Sequence, residues 1–469
     1  MIIKIKFLLL LTCIVYSACA KKNNEEVKPN ILLINIDDLG WKDVGFMGSE
    51  YYNTPNLDNL STKGIVFTNA YAAASNCAPS RACLMSGEWP QRHGIFTVDN
   101  SERGKSKDRK IIPVKNTTDL GKDFVTIAET LKSNGYATCH AGKWHLSNDP
   151  KDHGFDINIA GTHAGNPGKY YSPYPRKLKY KSDTDEYLTD AIMNDVLSFI
   201  DGVDDEPFFL YYSPYAVHTP INPIDSLMPR YENKPGWRGQ DNPGYATMID
   251  NLDRNIGNLI ALLKRKDLYA NTLIIFTSDN GGTCKVTEQR PLRAGKGSYY
   301  EGGIREPFFV VWPGRISPGL ISNVPISNLD IYPTLLEVSQ SKVCSNYLLD
   351  GQSITELFDG SEPASWMNRE LYWHYPIYLQ ANSRKGQFRD DKFRTRPGSA
   401  MRKGNWKLHQ YFEDGSFELF NLKEDIGEQN DLSKSNPKKL KELRELLTKW
   451  QRETNAPIPT KANPNYISE

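Results

Sequence analysis

Four short apolar runs constrain this chain more than any other feature: Asn30 to Ile36 (NILLINI), Pro207 to Ser213 (PFFLYYS), Thr272 to Thr277 (TLIIFT) and Pro307 to Trp312 (PFFVVW). Each has the length of a strand and is largely apolar at odd and even positions alike, so each reads as a strand covered on both faces. Between them lie helical patterns. Phe124, Ile127, Ala128 and Leu131 recur at helical spacing and end at Asn134-Gly135; Tyr245, Met248, Ile249, Leu252, Ile256 and Leu259 form a longer stripe; Asp330 to Val338 forms another. This alternation predicts an α/β fold: a large mixed, mostly parallel sheet sandwiched by helices.

The pattern changes near residue 365. Leu371 to Trp373, Trp406 to Tyr411 and Phe417 to Phe420 read as short strands, the last two joined by the turn Glu413-Asp414-Gly415-Ser416. A charged helix, Lys438 to Arg452, follows. Residues 30–364 are therefore expected to form the main domain, and residues 365–469 a smaller antiparallel sheet with one helix.

The amino terminus reads as a targeting segment. Lys4 and Lys6 precede an apolar run, Phe7 to Val15, shorter than the ~20 residues that span a membrane. Tyr16-Ser17-Ala18-Cys19 resembles a bacterial lipobox with Cys19 lipidated, although Tyr16 replaces the usual aliphatic residue; ordinary signal-peptidase cleavage nearby is the alternative. Residues 1–19 are expected to be this signal and residues 20–29 (AKKNNEEVKP) a polar tether. The chain is thus expected to be exported to a bacterial periplasm or outer membrane, touching lipid only through Cys19.

Lys and Arg total 57 against 56 Asp and Glu, which gives no argument for a nucleic-acid partner. An anionic ligand must instead be met by a few local cations. The 25 Tyr and 9 Trp suit carbohydrate-facing loops and an ordinary core equally. Of seven cysteines, Cys13 and Cys19 fall in the signal. Cys77, Cys83, Cys139, Cys284 and Cys344 are irregularly spaced, which predicts one reserved for chemistry and four buried apolar residues.

Polar residues follow the predicted strands closely. Asp37 and Asp38 come directly after the first; Lys143 and His145 lie just beyond Tyr136 to His140; His218 follows PFFLYYS; Asp279 and Asn280 follow TLIIFT. Ligands of open α/β sheets bind at the carboxyl edge, where these residues could converge. Three carboxylates and an amide oxygen are hard ligands suited to Ca²⁺ or Mg²⁺, with Ca²⁺ favoured for its tolerance of irregular geometry. Cys77 is expected near the amino end of a helix starting around Pro79-Ser80, where backbone N–H groups favour an anion.

The run Cys77-Ala78-Pro79-Ser80-Arg81 resembles the C-x-P-S-R signature of type I sulfatases, members of the alkaline phosphatase superfamily. The resemblance, to bacterial glycan sulfatases and arylsulfatases, extends from about Asn30 to about Leu432. It implies that a sulfatase-maturating enzyme oxidises Cys77 to formylglycine, which joins Asp37, Asp38, Asp279 and Asn280 as a calcium ligand. It also implies that Arg81 holds the formylglycine hydroxyl and that Lys143 and Lys296 bind the sulfate. One hydroxyl of the hydrated aldehyde would attack sulfur while His218, with Lys296 close by, protonates the leaving sugar oxygen. The second hydroxyl, its proton taken by His145, would expel sulfate.

The implied substrate is a sulfated carbohydrate, galactose or N-acetylgalactosamine, attacked from a chain end. Sugar contacts are expected from three predicted loops, at His163, His374 and Arg396. Two rivals differ in kind. A phosphatase or phosphodiesterase of the same superfamily would place Ser or Thr at position 77 and add histidines for a second metal. An inactive glycan-binding lipoprotein would have lost members of the set.

Overall fold

The computed structural model describes residues 28–182, 185–204, 206–381 and 387–468; the signal segment, Cys13, Cys19 and residues 20–27 of the tether lie outside the described residues. Eight strands form the central sheet: β1 (Asn30–Ile36), β2 (Ile65–Phe67), β3 (Ala137–Gly142), β4 (Ile157–Ile159), β5 (Phe208–Ser213), β6 (Thr272–Ser278), β7 (Phe309–Val311) and β8 (Leu320–Ser322). Their spatial order is β8-β2-β7-β6-β1-β5-β3-β4. Strands β6, β1, β5 and β3 run parallel, with Ile34 opposite both Tyr212 and Phe276, and Gly142 opposite Ser213. Only β7 is antiparallel to its neighbours, β6 and β2.

All seven residues of β1 are buried. Leu32, Ile34 and Ile36 face one core, shared with helices Leu188–Asp201 and Pro243–Arg265; Ile31 and Leu33 face another, shared with Cys77–Ser86, Ile127–Ser133 and Ile331–Ser339. Double-sided cover explains why the strand shows no polar alternation. Truncating any of these side chains to Ala should cost about 2–5 kcal/mol.

Helix Ile127–Ser133 starts later than its apolar stripe, leaving Phe124 outside. Thr126 caps it: the Thr126 hydroxyl accepts from Glu129 N–H at 3.2 Å, and the Glu129 carboxylate accepts from Thr126 N–H at 2.7 Å. This reciprocal pair satisfies two backbone donors that a helix start otherwise strands.

The carboxyl-terminal sheet is antiparallel, in the order β9 (Glu370–Tyr375), β10 (Gly398–Lys403), β11 (Trp406–Tyr411) and β12 (Phe417–Asn421). Helix Pro437–Glu453 packs Leu443, Leu447 and Trp450 on Met401, Leu408 and Leu419. A buried ion cluster links this sheet to the segment after Lys296. Lys407 Nζ on β11 lies 2.8 Å from Glu301 and 3.0 Å from Glu428, while Arg305 lies 3.3 Å from Glu301.

All five described cysteines are free thiols. Four are buried, but Cys344 is exposed, which corrects the expectation of four buried apolar cysteines besides Cys77. No helix of the described residues is long and apolar enough to cross a membrane.

Candidate active site

Parallel pairing of β1, β3, β5 and β6 places their carboxyl ends along one edge. The residues following those ends meet there. Gly142 makes the closest approach possible: its φ is +111°, and a Cβ would stand 2.1 Å from the Ser213 carbonyl oxygen. A side chain at this position would push β3 from β5 just where Lys143 leaves the sheet.

Lys143 is fully buried, and its ammonium donates to both oxygens of Asp37, at 2.9 and 2.8 Å. Arg81 is equally enclosed. Its Nε and Nη2 each lie 2.8 Å from Asp279 Oδ2, and its Nη1 donates to the Lys143 carbonyl oxygen at 2.9 Å and to the Ser213 hydroxyl. Asp279 Oδ1 accepts from Asp38 N–H at 3.1 Å, and Asn280 Nδ2 donates to Asp38 Oδ1 at 2.8 Å. Lys296 Nζ lies 2.6 Å from Asp38 Oδ1. Three cations thus hold three buried carboxylates, where such pairs are strong and a missing partner is costly.

Cys77 is the first residue of helix Cys77–Ser86, two positions earlier than expected, with Pro79 inside the first turn. Its Sγ lies 3.6 Å from Lys296 Nζ. Ligand atoms of Asp37, Asp38, Cys77 and His218 all fall within 4.8 Å of one another. Asn280 Oδ1, buried in the same place, has no hydrogen-bond donor. An orphaned acceptor beside clustered carboxylates is what a cation would satisfy, and the oxygen donors fit Ca²⁺. The Cys77 thiol and His218 imidazole alone would also suit zinc; oxidation of Cys77 would remove the soft sulfur.

Both candidate proton carriers are pushed toward neutrality. His218 Nδ1 is 2.6 Å from Thr219 O, leaving Nε2 facing Asp38 Oδ2 at 3.6 Å. Burial, then Lys296, lowers its imidazolium to about 3, although Asp38 opposes the shift. His145 has φ +65° and a buried Nδ1 without a partner; burial, then Lys143 and Arg81, lowers its imidazolium well below the usual range. Asp38 is held below the ordinary carboxylate range despite its burial, mainly by Lys296 and His218. Burial raises Asp279, and Arg81 opposes it.

The three expected sugar contacts fare differently. His163 is half-buried, its ring edge-on to that of His145 with centroids 6.0 Å apart, and Nε2 is 3.2 Å from Thr118 O. His374 is not in a loop but in β9, 1% exposed, its ring nitrogens engaged by the Ser399 hydroxyl at 2.8 Å and Pro457 O at 3.1 Å. No ring nitrogen is left for a ligand. Arg396 turns toward Asp390 and Glu413, each 2.5 Å away. Two residues earlier Arg394, which nothing in the sequence singles out, donates to the Lys296 carbonyl oxygen.

Residues 29–341 match the Sulfatase family, and residues 295–454 match the family described as N-sulphoglucosamine sulphohydrolase, C-terminal. A sulfatase of Formosa agariphila is 31% identical over 96% of this chain and 93% of its own. The N-acetylgalactosamine-6-sulfatase of Homo sapiens is 31% identical over 70% of this chain and 65% of its own. Among solved structures, Ps i-CgsB in complex with k-i-k-neocarrahexaose superposes with a TM-score of 0.75 at 31% identity, covering 94% of this chain and 95% of that one.

Proposed function

Because this chain belongs to the sulfatase family and is a sulfuric ester hydrolase, we propose that it removes sulfate from terminal galactose or N-acetylgalactosamine of a glycan. In this reading it uses Ca²⁺ and a formylglycine made from Cys77 by a maturation enzyme. One observation carries it: Cys77, at a helix amino end, lies 3.6 Å from Lys296 and within 4.8 Å of the ligand atoms of Asp37, Asp38 and His218. The sugar class is supported by two relatives, one an N-acetylgalactosamine-6-sulfatase and the other solved with k-i-k-neocarrahexaose.

When present, formylglycine supplies a hydrated aldehyde as oxygen nucleophile and Ca²⁺ supplies a Lewis acid. Asp37, Asp38, Asp279 and Asn280 would hold the cation. Lys143 and Lys296, which now neutralise Asp37 and Asp38, would then be free to face sulfate oxygens, a preorganised electrostatic role. Arg81 fixes Asp279 and the Lys143 backbone, keeping both in place. His145 is neutral with a buried, unpartnered Nδ1, and would take a proton once the negative charge of a bound sulfate offsets the burial and the cations Lys143 and Arg81 that now oppose it. His218 presents Nε2 toward the same spot; the negative charge of a bound sulfate would work against the depression caused by Lys296. Lys296, its charge reinforced by Asp38, keeps a proton beside position 77.

Export and lipidation at Cys19 belong to the same reading, with the enzyme working outside the cytoplasm. Turnover of a sulfated sugar against its matching phosphate ester tests the reaction class. Sulfate turnover at least roughly a hundredfold faster is expected; a preference for phosphate would overturn the reading.

A further inference from the structure

Each cation described at the reaction centre already has a carboxylate: Lys143 has Asp37, Lys296 has Asp38, and Arg81 has Asp279. Arg394 has none. It lies half-buried in the short strand Phe393–Thr395, and its Nη1 donates to the Lys296 carbonyl oxygen at 3.2 Å. Its Nε is buried without an acceptor, and among the described residues it has no carboxylate partner. The contact with the Lys296 loop is tight. A Cβ on Gly297, whose φ is +81°, would stand 2.6 Å from Arg394 Nε.

A second cation approaches from the neighbouring elements. Arg103, also half-buried, donates from Nε to Gln380 Oε1 at 3.1 Å, and Gln380 pairs in register with Phe393. The loop carrying Arg103 presses on the same strand: a Cβ on Gly104 would lie 2.6 Å from the Phe393 ring. Burial and then repulsion by Arg103 lower Arg394 to about 10, while Asp38, Cys284 and Cys77 oppose them. The hydrogen bond to Lys296 O ties the guanidinium to the residue whose ammonium stands beside Asp38 and Cys77. Two like charges without a counter-charge are unfavourable until an anion joins them. A guanidinium matches the geometry of sulfate and carboxylate better than any other side chain.

We propose that Arg394 and Arg103 form a second anion subsite, taking a further sulfate or carboxylate carried by the carbohydrate whose sulfate ester is cut. The inference rests on the carbohydrate-sulfatase reading and adds to it that the preferred substrate is polyanionic. Arg394 would couple the subsite to catalysis, because it also holds the backbone of Lys296.

The test uses the mature, metal-loaded enzyme and three substrates: a galactose monosulfate, the same sugar bearing a second sulfate, and the monosulfate linked to a sugar bearing a carboxylate. The wild type should favour one doubly charged substrate by roughly tenfold or more in kcat/KM, and the favoured one identifies the anion. R103A and R394A should each bring that preference toward one, and R394K should retain more of it than R394A. A wild type without preference, or a preference that survives both alanine substitutions, refutes the subsite. So does an equal loss on single and double charges, which would leave Arg394 only a support for Lys296. If the enzyme hydrolyses an aryl sulfate but none of the three sugars, the carbohydrate reading falls, and the subsite with it.

Discussion

Replacing Lys407 by methionine should destabilise the protein by about 3–5 kcal/mol, because it leaves two buried carboxylates short of a cation. Lys407, Glu301 and Glu428 are all fully buried, and the ammonium is 2.8 and 3.0 Å from the two carboxylates. Without it Glu301 keeps Arg305, at 3.3 Å, and the Tyr71 hydroxyl, at 2.7 Å; Glu428 keeps His409 at 3.1 Å. The titration of Glu301 supplies a second route to the magnitude. Burial raises this carboxyl, but Lys407, then Arg305 and Arg402, outweigh burial and bring it from 4.5 down to about 2. Such a depression is worth about 3 kcal/mol at pH 7. A carboxyl lowered on folding stabilises above its unfolded value, and that stability is lost as pH falls from 4.5 toward 2. The wild type should therefore lose about 3 kcal/mol across that window through Glu301, and K407M much less. Urea denaturation at pH 7, 4.5, 3 and 2 measures both quantities. Adding E301Q should recover part of the loss by removing the stranded charge. A change below ~1 kcal/mol at pH 7, or an unaltered pH slope, would refute the reasoning.

Other expectations concern the reaction centre. C77S removes the residue that is to be oxidised and should abolish most turnover while circular dichroism and melting stay near wild type. K143A should lower kcat/KM by about 10²–10³ on sulfate esters if the ammonium faces sulfate oxygens, and H218A by about 10²–10⁴ if Nε2 moves a proton. Near-normal turnover in any of these would remove the assigned role. D279A should weaken Ca²⁺ binding at least ~tenfold in titration calorimetry, and unchanged affinity would move the metal elsewhere.

The sheet and the reacting edge were legible because burial on both faces leaves uninterrupted apolar runs, and the polar residues come immediately after them. Direction was not: PFFVVW reads the same whether parallel or antiparallel, and its place between β6 and β2 depends on tertiary pairing. The start of helix Ile127–Ser133 had a signal in Thr126-Ile127-Ala128-Glu129, a capping box, which apolar periodicity alone overran. His374 misled because an aromatic-rich strand of a small sheet resembles a sugar-facing loop; its cross-strand neighbour Ser399 and the distant Pro457 engage both ring nitrogens. Arg394 and Arg396 are two residues apart, but only the fold decides which finds carboxylates. Arg396 has Asp390 and Glu413, whereas Arg394 is turned to the Lys296 backbone.

Mass spectrometry of the Cys77 peptide, from protein purified from its native host, is the most direct measurement of the central claim. The account predicts an aldehyde at position 77, trapped by hydrazide, in a fraction that tracks sulfate-ester turnover from one preparation to the next. Full turnover in protein whose Cys77 is entirely unmodified thiol would contradict it.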